Sequence, residues 1–270
     1  MKKIKSLLIL FCIYFGGTAL AQIKNVGIVK YEGRMNMTDT INASIIMDYS
    51  LSFNDIEATF FYTDATRKLN VDGSFTPITG NKNKIAQVYQ NFNSKVIIAT
   101  GASIGTSYLV KDAMELIPWK LSKDAKKIQN IECFSAQAEY RGRVWTAWYA
   151  PSIPISSGPW KLYGLPGMIL EAEDIKKLIK FECVAIIIPP LINIAIEIPK
   201  ARNTKTNEQP ISTKEYAVLT EKDIESAEKM SYTPDGQNYY PVRDIEVFNF
   251  EAKKKYMKRI QQKLSNIPKN

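Results

Sequence analysis

Apolar and polar residues alternate along much of this chain, and that two-residue period constrains its fold more than any other feature. Val29, Tyr31, Gly33, Met35 and Met37 alternate with Lys30, Glu32, Arg34, Asn36 and Thr38. Met47, Tyr49, Leu51 and Phe53 alternate with Asp48, Ser50, Ser52 and Asn54. Successive side chains of an extended chain point to opposite sides, so each series predicts a strand with one buried and one wet face. Residues 59–63, 95–100 and 107–111 read as further short strands. A hairpin follows: Phe134, Ala136, Ala138 and Tyr140 alternate with Ser135, Gln137 and Glu139, Arg141-Gly142 turns the chain, and residues 143–150 return with Trp145, Ala147 and Tyr149 on one face. Residues 168–172 and 180–187 add two more strands. Short strands in succession predict a mainly β fold of the α+β kind: an antiparallel, curved sheet with C-terminal helices packed on it.

Helical signals come late. Ser212 and Glu215 have the spacing of a capping box, which predicts a helix over 213–229. Tyr256, Met257, Ile260 and Leu264 recur at helical spacing among Lys253, Lys254, Lys255, Lys258, Arg259 and Lys263, predicting a basic amphipathic helix over 251–264. Residues 201–210 read as a polar linker and 232–241 as an ordered loop. The basic helix is expected to dock its apolar stripe on the sheet; contact with anionic lipid is the alternative.

The N-terminus has Lys2, Lys3 and Lys5, an apolar run over 7–15, and then Gly16, Gly17, Thr18 and Ala19-Leu20-Ala21. A basic start, a short apolar core and small residues before the cut define a secretory signal peptide. Cleavage after Ala21 leaves Gln22 first, and Phe11 before Cys12 is too bulky for a lipoprotein signal. The expected organisation is a signal peptide over 1–21, a β domain over 22–200, and a linker with helices over 201–270 that belongs to the same domain. The expected location is the periplasm of a Gram-negative cell. No later segment is apolar for long enough to cross a bilayer; the greasiest, 184–198, is interrupted by Pro189-Pro190, Asn193 and Glu197. An integral membrane protein is therefore not expected.

Removing the signal lowers Lys+Arg from 36 to 33 against 27 acids, a net charge of +6. Nucleic acid is not an expected partner in the periplasm. Histidine is absent, which excludes Ser-His-Asp and Cys-His nucleophilic sites, His-type zinc sites and His-ligated haem. Of three cysteines, Cys12 leaves with the signal, so Cys-rich metal sites and iron–sulfur clusters are excluded too. No cofactor or metal is expected. Cys133 and Cys183 are read as a disulfide in an oxidising compartment, closing a loop of about 50 residues worth about 4 kcal/mol. Two separately packed thiols are the alternative.

Residues 119–174 carry a recognisable text. Trp119-Lys120-Leu121 comes first, followed by Lys127-Ile128, Cys133 and Tyr140-Arg141-Gly142-Arg143. Trp145 to Tyr149, Pro151 and Pro154-Ile155 come next, then Gly158-Pro159-Trp160-Lys161 and Gly164-Leu165-Pro166-Gly167-Met168-Ile169. This resembles the GLPGLI family of exported bacteroidete proteins, strongly over 119–187 and weakly beyond about 200. Met168 stands where the name motif has Leu, a volume-conserving change. The resemblance implies compartment and lineage, and no reaction. Physically, Pro166 and Gly167 suit the second and third positions of a type II turn. The segment with Gly158, Pro159, Gly164, Leu165, Pro166 and Gly167 reads as a rigid corner with Trp160 and Leu165 packed beneath it. In the functional reading it is a loop at a cavity rim, with Trp160 and Tyr163 as contact residues. Asp39-Thr40-Ile41 resembles the O-glycosylation signal of this lineage, which makes Thr40 a candidate site.

Trp145 and Trp148 are three apart and so face opposite sides of a strand. One is expected in the core, and the other, with Arg143, is a candidate surface for a ligand or partner. Three functions follow. The first is a non-catalytic carrier of an apolar ligand or envelope component, since a curved sheet with late helices would resemble periplasmic lipid and lipoprotein carriers. The second is an accessory protein of an outer-membrane or cell-envelope assembly, with an envelope protein as partner. The third and least favoured is a carboxylate hydrolase using Glu171, Glu173 and Asp174, since glycoside hydrolysis needs two carboxyls across a cleft. No catalytic residue is assigned.

Overall fold

The computed structural model of the chain describes residues 25–36, 44–69, 75–77, 87–103, 106–190, 196–200 and 209–220. The first alternating series becomes β1 (Gly27–Asn36) and the second β2 (Ser44–Phe53), which pair antiparallel in unbroken register. Val29 and Tyr31 lie opposite Leu51 and Tyr49, and all four are buried. β3 (Glu57–Leu69) returns beside β2 and carries the short β4 (Phe75–Pro77). β5 (Gln87–Asn91), β6 (Val96–Ser103) and β7 (Thr106–Ala113) extend the sheet antiparallel.

Residues 114–119 then lead to the other half: β8 (Lys120–Ile128), β9 (Ile131–Tyr140), β10 (Arg143–Ala150), β11 (Met168–Asp174) and β12 (Ile179–Ile187). β12 joins β1, and β13 (Ile211–Ser212) adds a parallel pairing to β7. The described strands form one sheet in the order β13-β7-β6-β5-β3-β2-β1-β12-β11-β10-β9-β8, with β4 beside β3. β7 and the β9–β10 turn lie near opposite ends of that order, yet Arg141 of the turn forms an ion pair with Asp112 of β7. The sheet is therefore rolled, and one face looks inward.

That inner face is aromatic. Tyr49 stacks on Phe60 at 4.7 Å between centroids, and Phe181 meets Phe60 edge-on at 5.7 Å. Such pairs add about 0.5–1.5 kcal/mol each to the area they bury. The β9–β10 turn has positive φ at Arg141 (50°) and Gly142 (74°), the backbone of a type I′ hairpin, whose twist matches the strands it joins.

β5 and β8 have no counterpart in the sequence reading. β8 closes the strand order at one edge and is exposed at most positions, so it lacks a buried face to give it a period. Its register breaks between Leu121 and Ala125, and Lys120, Lys123 and Lys127 lie exposed on it. Lysines and irregular register blunt an open edge against pairing with other chains.

The capping box forms as expected. The Ser212 N–H donates to Glu215 Oε2 (2.8 Å) and the Glu215 N–H to Ser212 Oγ (3.2 Å). Helix α1 starts at Thr213 and is described as far as Thr220, with Tyr216 buried against Gly101. The rest of the expected helix to 229, the basic helix over 251–264, the loop over 232–241, Thr40 and the signal peptide lie outside the described residues, as does most of the linker over 201–210. Among the described residues, no helix is long and apolar enough to cross a membrane.

Candidate functional site

The connection between β10 and β11, residues 151–167, turns into the rolled sheet instead of crossing its surface. Ile153, Ile155, Trp160, Leu162, Tyr163 and Leu165 are all buried. The tight path comes from three-residue turns: the N–H of Ile155 donates to Ile153 O (2.7 Å), that of Ser157 to Ile155 O (2.9 Å) and that of Gly167 to Leu165 O (2.8 Å). Pro154 and Pro166 occupy the centres of two of them, where their fixed φ fits the inverse γ-turn.

This corrects the expected type II turn. The Leu165–Gly167 bond closes around Pro166 alone, and Gly167 takes φ 153° instead of the roughly +80° of a type II turn. A methyl group on Gly167 would lie 2.3 Å from the Ala150 carbonyl oxygen, so glycine lets the end of the segment pass against the end of β10.

Buried backbone needs partners, and distant strands supply them. Ser157 Oγ donates to Gln90 Oε1 (2.7 Å), and Gln90, from β5, is 1% exposed. Tyr163 OH donates to Glu115 O (2.6 Å), while Trp119 Nε1 donates to Tyr163 O (2.7 Å). Trp160 packs on Trp145 at 5.7 Å and edge-on to Tyr140 at 6.2 Å. Trp160 and Leu165 are buried, as the rigid-corner reading has them, and Tyr163, like Trp160 a contact residue only in the functional reading, is also a core residue. Gly158 and Pro159 are buried, whereas Gly164 and Pro166 are exposed.

A charged cluster closes one side of this interior. Burial alone would raise the Asp112 carboxyl, but the charge and hydrogen bond of Arg141, with the charge of Lys161, outweigh it and hold the carboxyl below its usual range. Lys161 is 4% exposed. Burial raises the Tyr140 and Tyr163 hydroxyls above their ordinary value, so both stay neutral.

The expected pairing of Arg143 with Trp148 in one surface is overturned. The two are five residues apart on β10 and point to opposite faces. Arg143 lies inside, donating to Asp174 Oδ2 (2.9 Å), while Asp174 Oδ1 accepts the N–H groups of Leu178 (2.7 Å) and Ile179 (2.8 Å). Trp145 is fully buried and Trp148 half-buried on the outer face, so the opposition expected of the two tryptophans holds. Over the Trp148 ring stands Lys126 Nζ, 4.4 Å from its centroid and 2.7 Å from Glu171 Oε2. Lys180 bonds Glu182 (2.9 Å) beyond.

The three acids do not converge. Glu171 and Glu173 share the outer face, with Glu171 held by Lys126, whereas Asp174 is turned inward to Arg143. Cys133 and Cys183 are both buried thiols of the same core. Burial, and after it the charge on Cys133, pushes the Cys183 thiol up to about 12, and burial also raises Cys133. Thiols held protonated in this way are poor nucleophiles. Among the described residues no cluster of acids and cysteines could hold a metal ion.

Fold and site together define a mainly β protein whose rolled antiparallel sheet is filled by its own chain and whose outer face is charged around one tryptophan. Residues 139–171, from the β9–β10 turn through the inner segment into β11, match a family described as a protein of unknown function (Porph_ging). The stretch contains the motif over 164–169 that carries the GLPGLI resemblance. None of the curated proteins matches the chain. Among solved structures, PNGF-II in a C2 crystal form is similar at 14% identity and a TM-score of 0.46, over 74% of this chain and 33% of that one. PNGF-II in a P21 form gives 12% identity, a TM-score of 0.46, and 74% and 34% coverage. The chain spans about a third of the length of those proteins.

Sequence reasoning missed Asp112, Gln90, Lys161 and Asp174 as parts of the interior. Asp174 had a signal of a kind, since it differs in parity from Glu171 and Glu173 and so had to face the other way. Gln90 had none, because β5 is too short to show a period.

Proposed function

We propose that the chain is an exported, non-catalytic accessory protein of the cell envelope that binds a protein partner through the outer face of its sheet around Trp148. The observation that carries this reading is the occupied interior: Ile153, Ile155, Trp160, Leu162, Tyr163 and Leu165 of the inner segment are buried against the inner face that a carrier would offer its ligand. The remaining recognition surface is the outer face, where Trp148, Lys126, Glu171 and Lys180 combine an aromatic with alternating charges, the composition of an interface anchor. The basic, apolar and small-residue order of 1–21 supports export, and an oxidising compartment supports a bond between Cys133 and Cys183. A photo-reactive residue at the exposed, outward Gln137 should trap one dominant envelope protein in intact cells, and Trp148→Ala should abolish that adduct. An adduct pattern unchanged by Trp148→Ala would refute the surface.

A carrier of an apolar ligand is the second reading, and Trp160 favours it. Its φ of 55° is a costly conformation for a bulky side chain, about 1–3 kcal/mol, stored where a ligand would sit. Native mass spectrometry of protein purified from its host separates the two: a retained lipid supports the carrier, and a bare protein supports the accessory reading. The same sample, denatured, should begin at Gln22 and be lighter by two hydrogens if the cysteines are joined.

A further inference from the structure

We infer that the corner between β7 and β8 is a docking surface for an anionic phospholipid bilayer. Residues 114–119 are tied down on both sides. The Met114 N–H donates to Lys95 O (2.8 Å), Glu115 O accepts from Tyr163 OH (2.6 Å), and Trp119 is bonded through its ring N–H to Tyr163 O (2.7 Å). Ile117 is buried at 2% exposure. Between these anchors Leu116 is 91% exposed, and Leu121, just inside β8, is 60% exposed. A slack loop would fold such leucines onto neighbouring apolar surface. Here the hydrogen bonds on either side hold Leu116 outward, so the corner presents a fixed apolar tip.

The surroundings select the occupant. Lys120 and Lys123 are exposed beside the leucines, Lys95 at the anchor of Met114 and Lys127 further along β8, against the acids Glu115, Asp124 and Glu132, the last opposite Lys127. Apolar tips set among lysines suit the boundary of an anionic bilayer: the leucines enter the acyl layer and the lysines stay at the headgroups. A strand added to β8 fits less well. Leu116 lies outside the strand, and the register break at Leu121–Ala125 interrupts the edge that such a partner would follow. The inference concerns a different surface from Trp148 and leans on the export reading only for which bilayer the protein meets.

The test is co-sedimentation of the full mature chain, residues 22–270, with vesicles of phosphatidylglycerol and phosphatidylcholine in equal parts, against vesicles of phosphatidylcholine alone. The chain should sediment with the anionic vesicles and stay free with the neutral ones. Leu116→Ser with Leu121→Ser should lower the partition coefficient at least about tenfold, since each leucine withdrawn from water is worth roughly that. Lys120→Gln with Lys123→Gln should weaken binding and flatten its salt dependence. Leu116 is so exposed that its replacement leaves folding intact, which circular dichroism verifies. Failure of the chain to bind anionic vesicles overturns the inference. Equal binding by the leucine variant also overturns it, and places the lipid contact elsewhere in this lysine-rich chain. Trp148→Ala leaves Leu116 and Leu121 in place, and the leucine variant leaves Trp148, so either idea can fall alone.

Discussion

Replacing Gly167 by alanine tests the inward course of the segment directly. At φ 153° the residue sits in a region open essentially to glycine, and an alanine there costs about 1–3 kcal/mol in backbone conformation. The added methyl would also stand 2.3 Å from the Ala150 oxygen, 2.6 Å from its carbonyl carbon and 2.9 Å from the Pro151 Cα. All three are backbone atoms, with no rotamer to turn away, so relief requires shifting the end of β10, at about 1–3 kcal/mol more. The sum, about 2–6 kcal/mol, is a large share of the roughly 5–15 kcal/mol that stabilises a typical protein. Gly164→Ala is the internal control. Gly164 also has positive φ, 92°, but its methyl would meet nothing nearer than Trp119 Nε1 at 3.6 Å, so only the conformational cost of about 1–2 kcal/mol applies. Urea denaturation of the mature chain, followed by circular dichroism and tryptophan fluorescence, gives both numbers. If the two alanines cost the same, Gly167 is not pressed against Ala150 and the account of the segment is wrong.

Asp174→Ala should cost about 3–5 kcal/mol because it leaves Arg143 buried without its carboxylate. Replacing Arg143 and Asp174 together by apolar residues should restore only the share due to the stranded charge in the same denaturation assay, since the Leu178 and Ile179 N–H groups still lose their acceptor. Burial raises the Cys183 thiol from 9.0 to about 12, and a raised pKa gives stability that is complete at lower pH and lost as pH climbs through that window. The urea midpoint of the reduced protein should therefore fall between those values, and Cys183→Ala should remove part of the fall, leaving the share due to the other groups that burial raises, Cys133 and the buried tyrosines. Ser212→Ala should cost about 1 kcal/mol locally, seen as faster amide exchange in the first turn of α1.

Where a strand has one buried and one wet face, the sequence announces it. β1, β2 and the β9–β10 hairpin were legible in this way, down to the turn at Arg141-Gly142. β8 was not, because an edge strand rich in exposed lysine has no apolar side. The inner segment was legible in part. Its corner over Trp160 and Leu165 could be read from Gly158, Pro159, Pro166 and Gly167, and Pro151, Pro154 and Pro166 do lie exposed, but the depth of its burial depends on Gln90 and Tyr163, which bond across large separations in sequence. The Arg143–Trp148 pairing failed on parity already present in the sequence, since residues five apart on a strand cannot share a face. The capping box survived because it depends on a few neighbouring residues and on nothing distant.

β1 lies in the interior of the sheet, with β2 on one side and β12 on the other. Its first neighbour follows it immediately in the chain, but its second ends at Ile187. For any chain that emerges N-terminus first, from a ribosome or through a translocation pore, the seam between β1 and β12 is a late event. Until then, the growing half-sheet from β1 to β7 presents a long unpaired edge of the kind that captures other strands. The interval during which that edge stays open is therefore set by the time taken to deliver the chain from Asn36 to Ile187.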